Sequence, residues 1–163
     1  MRELGRAARE PAQVFFTGGV TAIMHGWRES TVDMDIRIIP ESDDILRSLP
    51  ELKERLNFNV ELAAPDDFIP ELPGWKNRSL FIADEGPLTF LHYDLYSQAL
   101  SKLERRHSQD LEDVRHMIDE SLVLASKLIE LYEVIEPQLY RYPAIDPKAF
   151  RAAVEARTAT PSE

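Results

Sequence analysis

Residues 15–39 read FFTGGVTAIMHGWRESTVDMDIRII, and the fold turns on how this stretch is parsed. The run QVFF at residues 13–16, apolar from Val14 on, meets Gly18 and Gly19, which predicts a buried strand closed by a tight turn. Beyond the turn, Val20, Ile23, Met24 and Trp27 recur at helical spacing, so a short amphipathic helix follows. Residues 31–39, TVDMDIRII, then alternate strictly. Val32, Met34, Ile36 and Ile38 take one face, and Asp33, Asp35 and Arg37 take the other. Aspartate is depleted in strands, so two of them inside a clear strand pattern need a reason.

Metal and phosphate chemistry supplies one. Side chains two apart on a strand share a side, about 6–7 Å apart. Asp33 and Asp35 can therefore converge on a hard divalent cation, and Mg²⁺ takes carboxylate oxygens, water and substrate phosphates. A third carboxylate is expected from a neighbouring strand. Residues 57–62, NFNVEL, alternate with Phe58, Val60 and Leu62 inward and Asn59 and Glu61 outward, which makes Glu61 the candidate. The Gly18-Gly19 turn lets backbone N–H groups approach a phosphate, and the helix start favours its charge. Arg28, just before the aspartates, is a further phosphate candidate. Each feature is common alone: a glycine pair is often only a turn, D-x-D is often a solvated face, and a lone Glu61 is usually surface. Their order and spacing carry the signal.

The remaining chain reads as strands and then helices. Residues 2–10 suit a short charged helix stopped near Pro11, and residues 42–55 a second one. Residues 64–75 form a proline-rich loop, and residues 78–94 two strands joined at Asp84-Glu85-Gly86-Pro87. From there Asp94 and Ser108 are suited to cap two helices. Leu122, Ala125, Leu128, Ile129 and Tyr132 mark the stripe of a third, and Asp146-Pro147 opens a last one. Lys102 and Arg106, one turn apart, read as a solvated face, and Asp110 and Asp113 as acids in a helix's first turn. This order implies a small α/β (α+β) core, residues 1–93, a helical C-terminal part, residues 94–157, and a disordered tail, residues 158–163.

Composition bounds the rest. The 163 residues carry 19 basic and 29 acidic side chains, a net charge of −10 that disfavours broad nucleic-acid binding. No apolar run reaches membrane length, the N-terminus has no signal-peptide core, and there is no cysteine, so a reducing cytoplasm is the expected setting. His25, His92, His107 and His116 lack metal-ligand spacing, and Trp27 and Trp75 suit core or loop anchors.

The segment TGGVTAIMHGWRESTVDMDI (17–36) resembles the signature of the nucleotidyltransferase superfamily with the polymerase-beta-type fold: glycine pair, short helix, then Asp-x-Asp. It is most similar to the small bacterial branch that holds minimal nucleotidyltransferases and the nucleotidyltransferase partners of toxin–antitoxin and abortive-infection systems. Residues 60–75, VELAAPDDFIPELPGW, and residues 88–114, LTFLHYDLYSQALSKLERRHSQDLEDV, extend the similarity over most of the chain. The resemblance implies a small mixed β-sheet flanked by helices. It assigns Gly18 and Gly19 to the triphosphate, Asp33 and Asp35 to Mg²⁺ or Mn²⁺, and Glu61 to the third carboxylate or general base. It also brings Lys102 to nucleotide phosphates or the active-site acids. An NTP is then the substrate, and a cognate toxin or antitoxin an implied partner. One position departs: the family often has serine where this chain has Gly19, so a hydroxyl contact to phosphate is missing.

The resemblance thus implies transfer of a nucleoside monophosphate from an NTP to a hydroxyl of a protein, RNA or small molecule. Two other classes compete. A non-catalytic antitoxin or interaction module has no use for three placed acids. A D-x-D sugar-nucleotide transferase leaves the glycine pair unexplained, and 163 residues are few for it.

Overall fold

In the computed structural model, which describes residues 1–159, helix α1 (Arg2–Ala7) precedes the central strand β1 (Ala12–Thr17). The glycine pair turns the chain into α2 (Gly19–His25), and β2 (Asp33–Ile39) follows. Helix α3 (Asp43–Leu56) leads into β3 (Asn59–Leu62), and β4 (Leu80–Glu85) and β5 (Leu88–His92) form the expected pair of strands. The strands make one mixed sheet in the order β3-β2-β1-β5-β4. The β1–β2 and β4–β5 pairs are antiparallel, and the β1–β5 and β2–β3 pairs are parallel.

Alternation along the strands sorts the two faces. Val14, Phe16, Ile36, Ile38, Val60, Leu88 and Phe90 are buried on one side, joined by Leu4 of α1 and by Ile45, Leu49 and Leu52 of α3. Helix α3 owes its start to Ser42, whose hydroxyl accepts from the Ile45 N–H at 3.4 Å, and to acids in the first turn opposite bases in the last. Leu62 departs from its expected inward place and is 56% exposed. It ends a four-residue edge strand in which only Val60 is buried.

The chain divides into two compact units: residues 1–64 with 79–93, and residues 65–78 with 94 onward. The second is helical, with α4 (Trp75–Arg78), α5 (Leu95–Arg105), α6 (Ser108–Asp119), α7 (Ala125–Ile135) and α8 (Pro147–Thr158). Asp94 does cap α5: its carboxylate accepts from the Tyr96 and Ser97 N–H groups and also from both Nε and Nη2 of Arg78, at 3.1 and 2.8 Å. Asp146 caps α8 in the same way. Ser108 does not cap α6. It is already the first helical residue, and His107 stands before it without a side-chain cap bond. The buried stripe of α7 is Leu128, Leu131, Tyr132 and Ile135, so Ile129 and Ala125 lie at its border. Of the tail expected to be disordered, Thr158 closes α8 and Ala159 is its C-cap, while residues 160–163 lie outside the described ones. Among the described residues no helix is long and apolar enough to cross a membrane.

Candidate active site

The sheet order decides which residues can meet. Because β1 and β2 are antiparallel, the end of β1 lies beside the start of β2, with Thr17 opposite Asp35. Because β2 and β3 are parallel, Asp33 is opposite Asn59 and Asp35 is opposite Glu61. Paired residues on adjacent strands share a face, so Asp33, Asp35, Asn59 and Glu61 project to one side at one end of the sheet. That side is the reverse of the one packed under α1 and α3, and the aspartates are half-buried rather than sealed.

The glycine turn closes over the same end. Gly18 holds φ +67°, a conformation that side chains resist, and a Cβ there would stand 2.8 Å from Asp35 Oδ2. Its lack of a side chain is what admits the carboxylate. Gly19 begins α2, and a Cβ on it would stand 2.7 Å from Thr31 Cβ and 3.4 Å from Arg28 Nη1. Gly18, Gly19, Arg28 and Asp35 are thus gathered at the turn. Asp33 and Glu61 are gathered separately: Asn59 Nδ2 donates to Asp33 Oδ1 at 2.7 Å and to Glu61 Oε1 at 3.0 Å.

The donor set suits a hard divalent cation in kind, being three carboxylates on one face of adjacent strands. As placed, the amide of Asn59 lies where a cation shared by Asp33 and Glu61 would be drawn. Among the described residues no three His, Cys, Asp or Glu side chains stand in a metal-holding group. The donor set thus fits such a cation in kind, while the Asn59 amide bonds two of the three acids.

Lys102 belongs to the helical unit, and the solvated face expected for it is not found. Its side chain is 4% exposed, and Nζ donates to Asp110 Oδ1 at 3.0 Å and to Asp113 Oδ2 at 2.6 Å. Arg105 Nη2 joins Asp110 Oδ1 at 3.0 Å, so the acids at the start of α6 hold the last turn of α5. Arg106, one turn on, is exposed as that reading has it, but acids from the next helix satisfy Lys102 and permit its burial.

Three residues to which the sequence reading gives no site role stand near the turn or the acids. Thr31 and Asn59 have just been met. Asn59 shares its face with Glu61, so alternation alone could have flagged it, whereas Thr31 looks like any loop threonine. The third is His92, which is 7% exposed at the end of β5, with Nδ1 3.1 Å from Thr21 Oγ1. The Thr21 hydroxyl also donates to the Phe16 carbonyl oxygen at 3.4 Å, which ties α2 to β1 just behind the glycine turn. The ring of His25 lies 4.8 Å from that of His92.

Burial, with His25 adding to it, pushes the His92 imidazole down to about 4. The unfolded chain would take up that proton near 6.5. Between these values the unfolded state binds more protons than the native one, so stability falls as pH drops from about 6.5 to 4. His92→Asn should lose part of that slope in melting curves taken across the window. Equal slopes in both proteins would assign the decline to the carboxylates alone.

No curated protein and no solved structure matches the chain. The sequence profile of one family, described as "Nucleotidyltransferase of unknown function (DUF6036)", matches residues 1–146, and with the glycine turn and the carboxylates gathered at one end of the sheet, the chain belongs to that nucleotidyltransferase family.

Proposed function

We propose that this protein transfers a nucleoside monophosphate from an NTP to a hydroxyl group and releases pyrophosphate. The observation that carries this is the pairing of Asp35 with Glu61 beside Asp33, at the sheet end where Gly18 admits the Asp35 carboxylate. In this reading the backbone at Gly18-Gly19 and the Arg28 guanidinium hold the triphosphate, the latter through the forked geometry that suits phosphate oxygens. Asp33, Asp35 and Glu61 would hold Mg²⁺ or Mn²⁺, which when bound neutralises charge on the phosphates. The acceptor oxygen attacks the α-phosphorus, the bond to the pyrophosphate oxygen breaks, and the acceptor's proton passes to the Glu61 carboxylate. A protein, an RNA or a small molecule could supply that hydroxyl, and the resemblance to the toxin–antitoxin branch would add a cognate toxin or antitoxin partner in a cytoplasmic setting. The net charge of −10 argues against an RNA acceptor.

The bonds from Asn59 to Asp33 and Glu61 favour a second reading, a non-catalytic interaction module in which an amide has taken the cation's place. Calorimetric titration with ATP, CTP, GTP and UTP, with and without Mg²⁺, separates the two. Binding of at least one nucleotide, strengthened by Mg²⁺, is expected. Silence from all four would leave the non-catalytic reading standing.

A further inference from the structure

We infer that Thr31 supplies the hydroxyl of the phosphate cradle, from the seat that a side chain at position 19 would otherwise fill. The inference rests on the nucleotide reading above and adds a ligand residue to it. Gly19 is the first residue of α2. What excludes a side chain there is Thr31: a Cβ would stand 2.7 Å from Thr31 Cβ and closer still to Thr31 Oγ1. The threonine hydroxyl therefore fills the space beside Gly19 that any side chain there would need, although it comes from the segment that leads into β2.

The surroundings suit an anion that arrives with a cation, since the Asp35 carboxylate stands at the same turn. Arg28 Nη1 is 3.4 Å from the same point, so a charged fork and a neutral hydroxyl flank Gly19 together. Thr31 is half-buried, and its hydroxyl donates to the Asp33 carbonyl oxygen at 3.0 Å. The stiffness of a β-branched side chain holds Oγ1 over the turn whichever partner the hydroxyl takes. A hydroxyl has one rotatable hydrogen and two lone pairs, so the hydrogen can swing from the carbonyl to a phosphate oxygen without moving the side chain. The plainer account is that Thr31 merely braces the entry to β2 through a local side-chain-to-backbone bond. The two accounts differ in what the hydroxyl's loss should cost, which is nucleotide affinity in one and stability in the other.

The test compares Thr31→Val, Thr31→Ser, Gly19→Ser and the exchange variant Gly19→Ser with Thr31→Ala, all in the full chain. Each is titrated by calorimetry with the four NTPs plus Mg²⁺ and with inorganic triphosphate, and each is melted. Thr31→Val should weaken binding roughly tenfold, the loss of one hydrogen bond to a charged group, with its melting temperature little changed. Thr31→Ser should bind as the parent does. Gly19→Ser alone should bind poorly because it collides with Thr31, and the exchange variant should recover affinity. Parent-like binding by Thr31→Val, or a lowered melting temperature at unchanged affinity, overturns the role of Thr31 and leaves the nucleotide reading intact. If the unaltered protein binds neither nucleotide nor triphosphate, both fall together.

Discussion

Asp33→Asn and Asp35→Asn should each lower nucleotidyl transfer by at least about 10²–10³-fold while the protein stays folded, because each removes a fixed charge that acts where charge develops. Both side chains lie on the face of β2 opposite Met34, Ile36 and Ile38, so the core does not depend on their charge. Asparagine keeps the shape of aspartate. At position 35 it still fits beside Gly18, whose missing side chain makes the room. At position 33 its amide oxygen can still accept from Asn59. What each variant loses is negative charge in a cluster of acids. Asp33 and Glu61 share one donor and repel each other, so without a cation the Asp33 variant should melt no lower than the parent. Glu61→Gln should behave alike, with Glu61 opposite Asp35 in the parallel pair. The assay is transfer of label from α-labelled NTP to total cell extract, with circular dichroism on the same samples. Transfer that survives in the Asp33 or Asp35 variant would sink the catalytic assignment. Survival in the Glu61 variant alone would move the third acid elsewhere.

Much of this site could be read from the chain because its parts are local. The glycine pair, the short helix and the alternating strand lie within residues 15–39, and period-two alternation fixes which face the aspartates take. Glu61 was legible only by its outward place. Nothing local reveals that β3 lies parallel to β2, in the register that sets Glu61 opposite Asp35, because strand pairing is a property of the whole sheet. Thr31 was hidden for the same reason: its closeness to Gly19 follows from how the segment before β2 folds back over the turn. The helical caps show both outcomes. Asp94 and Asp146 were readable from sequence, whereas Ser108 was placed one residue off because the chain enters α6 at His107.

Lys102 was misjudged in its surroundings, and its replacement should produce the largest loss of stability among the changes considered. Sequence spacing gave it the look of a solvated cation. In the fold its ammonium is held by two carboxylates that are 8% and 2% exposed. Charge can be buried this way only as a matched set, and taking away one member leaves the others desolvated without compensation. Lys102→Met keeps the side chain's length and apolar stem but leaves Asp110 and Asp113 facing each other without their ammonium. Arg105, 38% exposed, also reaches Asp110 and softens the loss there. Breaking such a buried pair costs about 3–5 kcal/mol, a large part of the 5–15 kcal/mol typical of a whole domain. The triple variant Lys102→Met, Asp110→Asn, Asp113→Asn should recover much of that loss, since it removes the orphaned charges as well. Lys127→Ala provides the contrast: its pair with Glu130 is largely exposed on both sides and should change stability little. Urea unfolding of the four proteins, read beside nucleotide titrations, decides the role of Lys102. A Lys102→Met protein that unfolds with the parent but binds nucleotide weakly would show that the ammonium serves the ligand, and that the bonds to Asp110 and Asp113 only park it.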